Sequence, residues 1–198
     1  MNLVELHKQV MGELETFDVE AIMPELTNVA EGSLKDVLDR QNSLYYQYLT
    51  CLIRIMQPAQ VVELGGAMGT SALCMLPEMP SASKLYSITL EEHGLEFSHI
   101  KKEYPQLVKV LGDDLDLNSW PKDLDFSKTD ILFIDALHTK EQLEAELALY
   151  LPLIGKDKLV ILDDIKFDSG MWQAWIDIKN PKLDVSVLHH SGFGLLLS

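Results

Sequence analysis

After Pro58 the chain alternates short apolar runs with longer amphipathic stretches, and this alternation leaves very few folds open to it. The runs lie at 61–64, 85–90, 107–111, 131–134 and 159–162. Each has the length of a strand, and helical spacing returns between them; the stretch after 131–134, for instance, opens at Thr139 and places Leu143, Leu147 and Leu151 on one face. Gln142, three residues after Thr139, suggests a capping box. Repeated strand–helix units predict an α/β fold with a doubly wound, mostly parallel sheet. The C-terminal end breaks the pattern: 185–190 and 193–197 flank Ser191-Gly192 and predict two short strands joined by a tight turn. Before Pro58 the spacing is helical throughout, with Leu34, Val37, Leu38 and then Tyr45, Leu49, Leu52, Ile53 recurring at three and four residues, which predicts N-terminal cap helices.

The first apolar run ends in Glu63 and passes through Gly65, Gly66, Ala67 and Gly69 into the helix start Thr70-Ser71-Ala72. A strand running straight into glycines lets a ligand approach the backbone, and the N–H groups beyond it suit an anionic group. The dinucleotide pattern G-x-G-x-x-G read from Gly65 needs glycine at two positions held by Ala67 and Thr70. A P-loop is excluded because no Gly-Lys-Ser/Thr follows. The spacing Glu63-x-Gly65-x-x-x-Gly69 resembles instead the first motif of class I S-adenosylmethionine (SAM) dependent methyltransferases, and its Gly69-Thr70-Ser71-Ala72 continuation resembles the catechol-type O-methyltransferases. The resemblance runs from about residue 58 to 198. It implies a seven-stranded, Rossmann-like sheet whose last strand is antiparallel, so we expect a helical cap over 1–57 and a SAM-binding domain over 58–198 forming one structural unit.

Composition narrows the partners. With 198 residues, 47% of them hydrophobic, the chain suffices for one domain with a full core. A net charge of −15 argues against nucleic acid, whose binding depends on cationic contacts. The expected partner is a small-molecule acceptor, with a homo-oligomer left open. The start Met-Asn-Leu-Val-Glu-Leu-His does not read as a signal peptide, and no run has the length of a membrane span. Cys51 and Cys74, both in apolar helical surroundings, read as reduced core thiols, which suits a cytoplasmic location.

In open parallel sheets ligands bind beyond the carboxyl ends of the strands. Here those ends carry Glu63, then Asp113-Asp114, Asp135 and Asp163-Asp164, a concentration of like charge that calls for a cation among them. Carboxylate oxygens are the donors a hard cation such as Mg2+ prefers. One acid after the fourth run and an acidic pair after the fifth resemble the metal-dependent O-methyltransferases of the catechol, caffeoyl-CoA and macrolide-sugar types, which implies Asp135, Asp163 and Asp164 as metal ligands. Asp164 stands where the catechol enzymes have asparagine and resembles the macrolide branch. His138 stands where the catechol-type family places a lysine base, and imidazole can serve that role near neutral pH.

The resemblance also implies that Glu63, Gly65, Gly66, Ala67, Gly69 and Ser71 hold the amino-acid end of SAM, that Asp113 or Asp114 meets the adenine, and that Asp135 borders the cofactor. Where most relatives have a ribose-binding acid, this chain has Thr89, with Glu91 two residues on. Other candidates fail. Asp114-x-Asp116-x-Asn118 opens like a calcium loop but has Ser119 where glycine is required. Trp172 and Trp175 read as core or rim packing, and His189-His190 as alternating along a strand. The expected function is divalent-metal-assisted O-methylation of a small-molecule hydroxyl. The alternatives are a non-catalytic SAM or nucleotide binding module, and a metal-independent N- or C-methyltransferase.

Overall fold

The computed structural model describes residues 1–18, 44–67, 69–91 and 102–198. Two helices come first, α1 (Leu3–Glu15) and α2 (Leu44–Met56), followed by β1 (Gln60–Leu64), α3 (Thr70–Met75), β2 (Lys84–Thr89), β3 (Leu107–Leu111) and β4 (Ile131–Ile134). The chain continues through α4 (Lys140–Ile154), β5 (Leu159–Asp163), α5 (Ser169–Asp177), β6 (Lys182–Asp184) and β7 (Phe193–Leu197). The strands form one seven-stranded sheet in the order β3-β2-β1-β4-β5-β7-β6. The first five strands pair in parallel, and β7 runs antiparallel to both β5 and β6. This is the doubly wound arrangement that the alternating pattern predicts, with the strand order reversing between β1 and β4.

The central strands are apolar at nearly every position because both sheet faces are covered. Val61, Phe133, Ile161 and Leu195 point to one side, where Tyr48, Leu49 and Leu52 of α2 and Leu6 and Val10 of α1 pack. Val62, Leu132, Val160 and Leu196 point to the other, against Leu143, Leu147 and Tyr150 of α4 and Trp175 of α5. The period-two alternation of a strand thus splits each run between two cores. Asn2 caps α1 by accepting from the Val4 and Glu5 N–H groups, and Arg54 ties α2 to Glu78 at 2.7 Å. The Thr50 hydroxyl joins α2 to α3 by donating to the Cys74 carbonyl at 2.8 Å. The expected helical positions Leu34, Val37 and Leu38 lie outside the described residues. No described helix is long and apolar enough to cross a membrane.

Two local expectations need correction. The strand expected over 185–190 lies earlier, at Lys182–Asp184, and the connection to β7 is a string of turns. Asp184 initiates it: its carboxylate accepts from the Ser186 N–H at 2.9 Å, a local bond that competes with strand pairing. His189 therefore does not alternate along a strand. Gln142 also completes only half of a capping box: its N–H is capped by Thr139 at 3.3 Å, while its side chain turns away to Asp114 and Glu146.

Candidate active site

The site lies across the carboxyl ends of β1, β2, β3, β4 and β5, and the residues there divide into two groups. The first surrounds the turn after β1. The Gly65 and Gly66 N–H groups both donate to the Ile88 carbonyl, at 3.0 and 2.9 Å, which holds the turn against the end of β2. Gly65 has φ +90°, and a Cβ there would come within 1.8 Å of the Asp135 carbonyl oxygen, so the turn passes too close to the β4 loop for any side chain. Gly69, at φ +86°, leads into α3.

Glu63 supports this turn from beneath. It is fully buried and sits opposite Ser87 in the β1–β2 register. Its two carboxylate oxygens accept from the hydroxyls of Ser71 and Ser87. Burial pushes its pKa up, against the opposing pull of these two hydrogen bonds. Glu63 and Ser71 thus bind each other and shape the turn from inside.

A cavity of about 380 Å3 opens in front of the turn. Gly65, Ala67, Thr89, Asp113, Asp114 and Asp135 line it, joined by Gln142. Glu63, Gly66, Gly69 and Ser71 are outside that lining. The Thr89 hydroxyl donates to the Glu91 carbonyl at 3.3 Å, and the Glu91 side chain is exposed, outside the lining. Asp114 is held from behind: the Gln142 amide donates to its Oδ1 at 3.0 Å and to Glu146 Oε1 at 2.9 Å. Burial raises the pKa of both acids, Glu146 to about 8. Tyr150 donates its hydroxyl to the Asp114 carbonyl and accepts from the Trp120 indole at 2.9 Å. Asp116 merely caps the turn over 117–119, accepting from the Asn118 N–H, so the calcium-like run closes on itself.

The second group stands at the ends of β4 and β5. The His138 ring lies between two acids, with Nε2 at 3.2 Å from Asp135 Oδ1 and Nδ1 at 3.1 Å from Asp164 Oδ2. Asp135 therefore reaches the acidic pair through His138. Burial, ahead of the influence of His138 and Asp163, raises the Asp135 pKa to about 7, and the hydrogen bond to Asp135 raises that of His138. Both shifts favour a proton held between the two side chains.

Asp163 and Asp164 are both buried. Asp164 adopts φ +56°, a conformation aspartate tolerates, and its N–H donates to Asp163 Oδ1 at 2.8 Å. The turns before β7 deliver His189, whose Nδ1 lies 3.0 Å from Asp163 Oδ1 and 3.6 Å from Asp164 Oδ1. The Tyr45 ring packs on the imidazole with centroids 4.2 Å apart. Burial lowers the His189 pKa, but the hydrogen bond and charges of Asp163 and its neighbours outweigh it, and the net shift is upward. One ligand atom each from Asp163, Asp164 and His189 lie within 4.8 Å of one another. Asp164 Oδ1 is buried and, alone among the buried side-chain polar atoms of the described residues, has no hydrogen-bond partner.

His189, Ser87 and Glu146 were not among the sequence-predicted site residues. Ser87 carries no local signal, because it meets Glu63 only through the β1–β2 register; His189 was hidden because its apolar neighbours Val185, Val187 and Leu188 read as a strand. Trp175 is core, packed beside Gly194, and Trp172 is at the rim with the Lys166 ammonium over its ring, as expected of the pair.

A seven-stranded sheet with one antiparallel strand, a tight glycine turn after β1 and a cavity across the reversal of strand order together define the class I SAM-dependent methyltransferase fold. The chain belongs to the methyltransferase domain family, whose model matches residues 62–165. Solved structures share the fold across nearly the whole chain. A Staphylococcus aureus protein assigned as a caffeoyl-CoA O-methyltransferase is 15% identical, with a TM-score of 0.65 over 98% of this chain and 99% of its own. The O-methyltransferase TomG of Streptomyces achromogenes, involved in tomaymycin synthesis and solved with SAM, is 16% identical, with a TM-score of 0.59 over 94% and 99%. An O-methyltransferase from Bacillus cereus, solved with SAH, is 17% identical, with a TM-score of 0.60 over 93% and 99%. Among curated proteins, the uncharacterized protein y4gI of Sinorhizobium fredii (strain NBRC 101917 / NGR234) is 22% identical over 166 residues, or 73% of this chain. The chain spans only 18% of the length of that relative.

Proposed function

We propose that the protein transfers a methyl group from SAM to a hydroxyl of a small molecule, assisted by a divalent cation. The observation that carries this reading is the adjacency of two unlike sites: a cavity of about 380 Å3 before the glycine turn, and an acidic cluster containing the unpartnered Asp164 Oδ1. The first has the size and mixed lining of a small-ligand site. The second offers two carboxylates in contact with histidines, the donors that divalent ions take. Asp163 and Asp164 would hold the ion, with Asp135 bordering both sites.

When bound, SAM supplies an electrophilic methyl group, and a divalent ion lowers the pKa of an acceptor hydroxyl. The residues of the chain supply the rest. Gly65 and Ala67 leave room for the amino-acid end of the cofactor, held in shape by Glu63, Gly66, Gly69 and Ser71. Asp113 or Asp114 would accept from the exocyclic amine of the adenine, and Thr89 would meet the ribose. His138 would receive the acceptor's proton in its neutral form, after one ring nitrogen has given up the proton it shares with its carboxylate, a loss that a cation held at Asp164 would favour. Positioning accounts for the remaining catalysis, because the chemistry needs no covalent enzyme intermediate. The free, buried thiols of Cys51 and Cys74 support a reducing compartment such as the cytoplasm.

The test is turnover of methyl-labelled SAM over a panel of small hydroxylated acceptors, with Mg2+ or with excess chelator. Asp163→Asn is expected to lower kcat/KM by about 100-fold, a loss of roughly 2.7 kcal/mol of transition-state stabilisation, while SAM affinity stays within about threefold. Full activity in chelator would point to the metal-independent alternative. SAM binding without turnover on any acceptor would point to a non-catalytic module.

A further inference from the structure

We infer that His189 is itself a ligand of the cation site, which makes that site a mixed nitrogen–oxygen centre suited to a borderline transition-metal ion such as Co2+ or Zn2+ rather than to Mg2+. The inference rests on the reading of the acidic cluster as a cation site and adds to it the ligand set and the class of ion.

Three observations lead there. The donor atoms that gather to within 4.8 Å of one another belong to Asp163, Asp164 and His189, two of them from the end of β5 and one from the turns before β7. Three ligands around one ion, each at about 2.0–2.2 Å, stand at most about 4.4 Å apart, so small side-chain movements bring this set into coordination range. Next, the imidazole is held in place. Tyr45 packs on its ring, Ser191 Oγ lies 3.3 Å from Nδ1, and the turn that carries it is fixed by the Gly192 N–H donating to the His189 carbonyl at 3.0 Å. Last, Asp164 Oδ1 is buried with no hydrogen-bond partner and faces His189 Nδ1 at 3.6 Å.

A protonated His189 serving only as a counter-charge would explain its contact with Asp163 Oδ1, but at 3.6 Å it stands beyond hydrogen-bond distance of Asp164 Oδ1 and leaves that oxygen without a hydrogen bond. An unpaired buried carboxylate oxygen is costly. A cation shared by Asp163, Asp164 and a neutral His189 satisfies all three. His138 bridges Asp135 Oδ1 and Asp164 Oδ2, and the donors that gather on the other side of Asp164 come from Asp163 and His189. Imidazole nitrogen is a softer donor than carboxylate oxygen, and it moves the preference of the site from Mg2+ towards the transition ions.

The experiment uses the full chain with Co2+, Mg2+ and Cu2+ as probes. His189→Phe keeps an aromatic ring against Tyr45 and removes the nitrogen. We expect Co2+ affinity, followed by its visible absorption, to fall about tenfold or more in His189→Phe, with Mg2+ affinity changed less than about threefold. With one equivalent of Cu2+, the wild-type electron paramagnetic resonance spectrum is expected to show nitrogen coupling that persists in His138→Gln. That measurement needs no folded His189 variant. Absence of nitrogen coupling in the wild type, or unchanged Co2+ affinity and spectrum in His189→Phe, would overturn the role of His189 while leaving an oxygen-only cation site standing. Failure of the wild type to bind any of the three ions would overturn the cation site itself.

Discussion

Two sets of carboxylates sit at the same edge of one sheet, and they are treated in opposite ways. Glu63 is fully buried with both oxygens accepting from serine hydroxyls, and Asp114 and Glu146 share the amide of Gln142. Glu63 is closed off by donors of the chain and supports the cavity wall from inside, while the Gln142 amide fixes Asp114 in that wall with Glu146 behind it. Asp163 and Asp164, both at the end of β5, meet histidines, and one oxygen of Asp164 accepts no hydrogen bond. The difference teaches that acidity at a strand end does not by itself mark a chemical group. What marks it is whether the surrounding residues have already used its lone pairs.

The contrast can be broken first at the turn that separates the two sets. Gly65→Ala is expected to have the largest effect, because it combines a clash with the Asp135 carbonyl and an unfavourable positive φ. Destabilisation of about 3 kcal/mol or more should appear in denaturant unfolding, with loss of SAM binding. Glu63→Ala comes next, since it leaves two buried serine hydroxyls without their acceptor. A cost of about 2–3 kcal/mol is expected, whereas Glu63→Gln, which keeps an acceptor, should cost about 1 kcal/mol or less.

A smaller effect, graded with pH, belongs to Glu146. Its pKa in the folded protein is raised to about 8 from an ordinary 4.5, so the fold favours its protonated form. The associated stability is fully present below pH 4.5 and is lost as pH rises towards 8, by at most about 1.4 kcal/mol per pH unit within that window. Glu146→Gln should therefore gain in melting temperature relative to wild type as pH increases from 5 to 8. An unchanging difference would mean that Glu146 is not a closed, proton-holding support. The smallest stability effect is expected at Asp164→Asn, which should remain within about 1 kcal/mol of wild type because the amide oxygen can still accept from His138 in place of Oδ2 and no hydrogen bond to Oδ1 is lost.

The sequence made the closed half of this picture more legible than the open half. Five parallel strands were readable because burial on both faces makes them continuous apolar runs, and Glu63-x-Gly65-x-x-x-Gly69 is a local pattern whose backbone consequences are local too. That Glu63 faces inward to Ser71 and Ser87 was hidden, since it depends on the register of β1 against β2. The open half depends on contacts across far larger separations. Asp135, His138, Asp163 and Asp164 could be proposed from their places after apolar runs. His189 was lost because Asp184 starts a turn where a strand was expected, and only the folded turn carries the imidazole back to β5.

The most direct test of the distinction between closed and open acids is a calorimetric titration of wild type and Asp164→Asn, first with SAM and then with a divalent ion. One SAM per chain is expected in both proteins, followed by one ion per chain in the wild type and an ion affinity lower by about tenfold or more in Asp164→Asn, where a neutral amide replaces an anionic donor. Equal ion binding by the two proteins, or no SAM binding by the wild type, would contradict that distinction.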